Sequence, residues 1–252
     1  MNQLNLAPPP SAPWLALGIG GLALTLLAVW GALIWIGGRS RPEGRAASVA
    51  FLIGAGLWAA LTLTLATSGV LARVDLRPPP FAVIPLGLLL GTILVVRSRA
   101  GAILVEETPL WILVLMQSFR LPLELLMHAA AQAGIMPPHM SFGLTHGVVG
   151  LNYDIVTGAS ALLLGLALRT RAVPRSVVLA WNLGGLALLL IIVGIGVSST
   201  PLFARFGSAP SQLNTWMLFA PYVWLPAILV ASALLGHLVI FAKLRRTVSS
   251  RS

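Results

Sequence analysis

Long apolar runs alternate with short polar segments along the whole of this chain. Runs of spanning length fall at about 14–38, 46–70, 80–96, 109–134, 151–168, 176–198 and 216–242, and nearly every charge lies between them. A bilayer core is about 30 Å thick and a helix rises about 1.5 Å per residue, so roughly 20 apolar residues make one crossing. The pattern predicts an all-α integral membrane protein, a single domain over residues 1–252 built as a bundle of seven transmembrane helices. The third and fifth runs are short, which implies small tilt or shielding by neighbours. Thr108-Pro109 reads as an N-cap followed by proline at the first helical position. Glu106 and Glu107 would then lie beside the positive end of the fourth helix.

Composition fits lipid as solvent, since 58% of the 252 residues are hydrophobic and 9% charged. The formal charge of +10 would suggest nucleic acid in a soluble protein. Here the basic residues flank apolar runs, so they orient helices and imply no nucleic-acid partner. Arg39, Arg41, Arg45, Arg97, Arg99, Arg169, Arg171, Arg175, Lys243, Arg245, Arg246 and Arg251 fall on one side of a seven-span arrangement, against Arg73, Arg77 and Arg205 on the other. The positive-inside rule then places the N-terminus outside and the C-terminus in the cytoplasm, as in a multi-pass protein of the bacterial inner (cytoplasmic) membrane. Met1–Pro13 carries no Lys or Arg, which predicts that Trp14 onward is kept as the first span. Without cysteine the chain offers no disulfide, thiolate metal site, iron–sulfur cluster or cysteine nucleophile.

The candidate chemistry lies on the fourth helix. Gln117, Arg120, Glu124 and His128 interrupt an otherwise apolar run, and at about 100° per residue they fall within an arc of roughly 80°. Ionisable groups cost several kcal/mol each against lipid, so this stripe should face the bundle interior or a wet cavity. Arg120 and Glu124, four residues apart, are placed to pair, and Pro122 between them removes a backbone donor and bends the helix. Arg120 falls near the membrane midplane. Glu124 and His128 lie further outward, towards a connection holding His139, His146, Asn152, Tyr153 and Asp154. Tyr222 enters from the same side on the last helix, with Pro221 and Pro226 beside it, whereas Asn182 and His237 fall nearer the cytoplasm. Two readings compete: a packing lock built on an ion pair, or a ligand or proton site formed by Gln117, Arg120, Glu124, His128, Asn152, Tyr153, Asp154 and Tyr222.

Glu124, His128, His146 and Asp154 (with His139) are the only metal-ligand candidates, and no HExxH or HxxxH pair supports them. No GxSxG nucleophile motif occurs. Retinal would need a lysine within the last span, but Lys243 lies at its exit. Bis-histidine haem would need His128 and His237 at one depth. A late HxxxH pair, as in ceramidase-like hydrolases, is missing. No cofactor is implied. Glycines such as Gly18, Gly20, Gly21, Gly184 and Gly185 suit close helix contact, and no internal repeat stands out.

The runs Gln117-Ser118-Phe119-Arg120-Leu121-Pro122-Leu123-Glu124, Met140-Ser141-Phe142 and Asn152-Tyr153-Asp154 with Gly158 resemble a group of uncharacterised bacterial membrane proteins. The later residues Trp181-Asn182, Pro221, Trp224-Leu225-Pro226 and Gly236-His237 are similar as well. The resemblance covers helices four to seven and brings no established activity. The segment between Met140 and Asn152 is longer here than in that pattern. Two functions remain open: a transporter, sensor or membrane-complex subunit handling a small ligand, proton or neighbouring subunit, and a membrane-embedded enzyme with an outward-facing acid/base or metal site. The bilayer is the one partner both require.

Overall fold

The computed structural model describes residues 6–249; Arg251, counted above among the basic residues of one side, lies outside them. Helix α1 (Pro13–Gly37) starts with proline in its first turn and α2 (Gly44–Thr67) returns beside it. A 3₁₀ turn at Pro80–Ala82 leads into α3 (Val83–Arg97). Ser98 then caps a short amphipathic helix, α4 (Arg99–Glu107). Helix α5 (Leu110–Met116), a 3₁₀ stretch (Gln117–Phe119) and α6 (Arg120–Gln132) form one rod. Its tightened middle sits just before Pro122, as expected where a proline removes an intrahelical donor. Helices α7 (Asp154–Thr170) and α8 (Arg175–Ser198) follow, and a π-helical stretch (Leu225–Val230) runs into α9 (Ala231–Ser249).

Six rods are long and apolar enough to cross a membrane: Pro13–Gly37, Gly44–Thr67, Pro80–Arg97, Leu110–Gln132, Arg175–Ser198 and Leu225–Arg246. The chain is therefore an all-helical, multi-pass membrane protein. Leu17, Leu57, Leu94 and Leu163 are among the large apolar side chains left exposed on its flanks, a surface suited to acyl chains. The last rod is central, 61% of its apolar window being buried against 17% for Gly44–Thr67.

Several sequence expectations need correction. The apolar run 216–242 is not one helix. Trp216–Leu218 is a 3₁₀ turn, Phe219 is extended, and the rod starts only at Leu225, because Pro221 interrupts helical pairing and biases the residue before it away from α. Thr108 is the C-cap of α4, and Pro109 occupies the N-cap position of α5 without a side-chain cap. Glu106 and Glu107 end α4, where Arg41 bonds both, at 2.5 Å from Nη2 to Glu107 Oε1, and Arg246 bonds Glu106. These guanidiniums, Arg246 foremost, hold the Glu106 carboxyl below the ordinary carboxylate range. The fifth element begins at Asp154 rather than at 151 and has 17 residues.

Basic residues gather at one end of the bundle. Besides the Arg41 and Arg246 pairs, Arg99 meets Glu43 at 2.9 Å, Arg175 donates to the Leu244 carbonyl, and Arg169 lies over the Trp111 ring. The core divides into two apolar clusters. One holds Trp30, Ile34, Leu104, Leu113, Val239 and Ile240 near that basic end. The other holds Leu15, Ile19, Leu123, Met127, Val223 and Leu229. Both long rods of the centre change cluster midway, between Val114 and Leu123 on α5/α6 and between Leu229 and Leu235 on the last rod. Gln117 and Arg120 lie in that gap.

Candidate functional site

Arg120 is the first residue of α6 and is 1% exposed. It stands ten residues from the start of its rod, about 15 Å from the basic end. Its partner is Asp154, the first residue of α7, and not Glu124. Nε donates to Asp154 Oδ2 at 2.5 Å, and Nη2 bonds Oδ1 of the same carboxylate, a bidentate fork. Nη2 also reaches the Gly185 carbonyl at 3.5 Å. Nη1 donates to His237 Nε2 at 2.8 Å. The His237 ring in turn bonds Asn182 Oδ1 through Nδ1 at 2.9 Å, while Asn182 Nδ2 donates to the His237 carbonyl at 3.1 Å.

Close helix packing sets this geometry. Gly158, one turn into α7, lies against the backbone of Arg120 and Leu121, where a Cβ would collide. Asp154 is thereby brought alongside the guanidinium, and its position at a helix N-terminus favours a carboxylate. Gly236 leaves room for Gln117, whose Nε2 donates to the Ala233 carbonyl at 3.1 Å. Gln117 Oε1 is buried without a partner.

Glu124 lies one turn beyond Arg120, 2% exposed, and accepts a hydrogen bond from Asn152 Nδ2 at 2.5 Å. Asn152 Oδ1 accepts the Asp154 N–H at 3.0 Å. One asparagine thus starts α7 and holds the second carboxylate. The loop before it is held by backbone bonds from Asn152 N to Ser141 O at 3.0 Å and from Leu151 N to His139 O at 2.9 Å. It carries a small antiparallel hairpin, β1 (Leu144–Thr145) and β2 (Val148–Val149), turned at His146 and Gly147, both at positive φ.

Not every expected residue joins the cluster. His128 bonds Ser141 Oγ at 2.9 Å and the Phe142 carbonyl at 3.1 Å and stacks on Phe142, so it anchors the loop. His146 reaches the Gln132 carbonyl at 3.0 Å from its turn. Tyr153 is 55% exposed, and Tyr222 packs on Trp216 in the apolar cluster away from the basic end. Of the four metal candidates, Glu124 and Asp154 meet at Asn152, while His128 and His146 are engaged by the loop and by the Gln132 carbonyl. Among the described residues no three His, Asp or Glu are grouped to hold a metal ion. Conversely, sequence reasoning missed His237 and Asn182. Counting inward from the basic end is the signal that finds His237: it lies nine residues before Arg246, as Arg120 lies ten beyond Leu110.

A cavity of about 300 Å³ reaches this cluster. Arg120, Glu124, Asn152 and Asp154 form its polar end, and residues such as Phe119, Met127, Ile192, Val193, Leu225 and Leu229 line the rest. Asn214 also lines it. Asn214 Nδ2 donates to the Gly196 carbonyl at 3.0 Å, while Oδ1 is buried without a partner. A larger crevice, about 680 Å³, opens between α2 and α3, but it has no carboxylate in its walls and does not reach the cluster. Comparison with known protein families, curated proteins and solved structures finds no match to this chain.

Proposed function

We propose that this chain is a seven-pass protein of the bacterial inner membrane, N-terminus outside and C-terminus in the cytoplasm, that takes a small ligand into the cavity above Arg120, Glu124 and Asp154. It acts there as a transporter or sensor. Support for the seventh pass comes from α7. Its 17 residues rise about 26 Å antiparallel to α5/α6. Support for the orientation comes from the basic end, whose charges retention in the cytoplasm would favour.

The observation that carries the ligand reading is the position of the ion-paired network at the end of a cavity rather than inside close-packed core. A packing lock needs a satisfied pair and no open volume. The test replaces the pair by apolar residues of similar size, Arg120→Met with Asp154→Leu. This removes both charges together, a replacement that is often neutral or stabilising for a buried pair. The folded double variant is expected to fail to complement a deletion strain; full complementation would reduce the network to packing.

A further inference from the structure

We infer that the ligand of this cavity is an organic cation, a hydrophobic ammonium compound whose N–H groups meet Glu124 while its apolar body lies along Ile192, Val193, Leu225 and Leu229. The inference rests on the ligand-site reading above and names the class of that ligand.

The first argument is charge. Glu124 and Asp154 face one guanidinium at the cavity's polar end, and His237 Nε2 accepts from Arg120, so the imidazole there serves as an acceptor. Arg120 is committed to Asp154, and among the described residues no ion pair engages Glu124, so Glu124 is the carboxyl at the polar end able to meet a ligand cation. The second argument is hydrogen-bond capacity. Arg120 directs Nε and Nη2 to Asp154, Nη2 also to Gly185 and Nη1 to His237, so four bonds use four of its five N–H groups. Little is left for an anion. The free capacity is on the acceptor side: Asn214 Oδ1 is buried with no partner, and Glu124 accepts one hydrogen bond from Asn152. A carboxylate can accept about four. The third argument is shape. About 300 Å³ of mostly apolar volume holds on the order of ten water-sized atoms, at about 30 Å³ each. That suits a short alkyl or aryl amine.

The test uses the full chain in lipid nanodiscs and three probes of one chain length: octylamine, octanoate and octanol. Thermal unfolding is measured for the wild type, for Glu124→Gln, which removes the charge and keeps an acceptor for Asn152, and for Val193→Trp, which fills the cavity and leaves Glu124 intact. Octylamine alone is expected to raise the wild-type midpoint in a saturable way, with apparent affinity at least tenfold weaker in both variants. Saturable binding of octanoate or octanol that Val193→Trp abolishes and Glu124→Gln leaves unchanged would overturn the cationic class and leave the ligand site standing. No saturable effect of any probe would overturn the inference, and the complementation result above would then decide the site by itself. An octylamine effect equal in all three proteins is partition into lipid, and it too would overturn the inference.

Discussion

Arg120 Nη1 lies 2.8 Å from His237 Nε2, joining the first turn of α6 to the middle of the last rod. A guanidinium can only donate, so Nε2 accepts and the ring proton sits on Nδ1, directed at Asn182 Oδ1. One arginine thereby fixes the tautomer of a histidine on another helix and, through Asp154, the start of α7. Partner identity at Arg120 therefore has measurable consequences.

Arg120→Met leaves Asp154 buried without its partner, and Asp154→Leu does the same to Arg120. Each is expected to cost about 3–5 kcal/mol. Adding Asp154→Leu to Arg120→Met should recover most of that loss, whereas adding Glu124→Leu should not. Thermal unfolding in nanodiscs checks this double-mutant comparison. Equal rescue by Glu124→Leu would mean that Arg120 pairs along its own helix.

Gly158 and Gly184 occur on neighbouring helices but differ in surroundings. A Cβ at Gly158 would meet the backbone of Arg120 and Leu121, while nothing lies within 4 Å of one at Gly184. Gly158→Val should lower folded yield, by about 1–3 kcal/mol or more, because backbone cannot yield as a side chain does. Gly184→Ala should be neutral or stabilising by up to about 1 kcal/mol. Size-exclusion profiles and melting curves would expose the contrast, and similar losses at both positions would count against this packing of α7.

His139, in the loop before β1, bonds Ser199 Oγ at 2.8 Å and stacks on Phe206. Burial holds its imidazole below the ordinary value of 6.5. The unfolded chain therefore takes up this proton first as pH falls. The stabilising contribution is complete above about pH 6.5 and declines as pH drops below it. Unfolding measured at about pH 7.5 and pH 5.5 should show a smaller loss for His139→Asn than for the wild type. An unchanged loss would mean that His139 does not contribute to the acid sensitivity.

The chain has no cysteine, so single cysteines report topology without background. In intact cells a membrane-impermeant thiol reagent should label Ser208→Cys and leave Thr170→Cys untouched. The reverse pattern would invert the proposed orientation.

Much of the helical order was legible because apolar run length is read directly against bilayer thickness, as for Pro13–Gly37 and Arg175–Ser198. The stripe on α5/α6 was legible for the same reason, since an arginine and a glutamate in an apolar run must turn inward. The partner of Arg120 was not. Spacing four residues apart favours Glu124, but Asp154 arrives through the Gly158 contact, a tertiary event that no local pattern records. His237 was misplaced in depth because Trp216–Leu218 and Phe219 are apolar yet lie outside the last rod. Helix α4 was read as connection, since nine residues carrying Arg99, Glu106 and Glu107 give no spanning signal.

The central claim is that the cavity is open to a small molecule, and two leucines test it. Leu229 and Leu113 are both 0% exposed, but Leu229 lines the cavity whereas Leu113 belongs to the cluster near the basic end. In the folded protein Leu229→Cys should react with a small neutral methanethiosulfonate reagent while Leu113→Cys stays protected until unfolding. Equal protection at both positions would contradict the account.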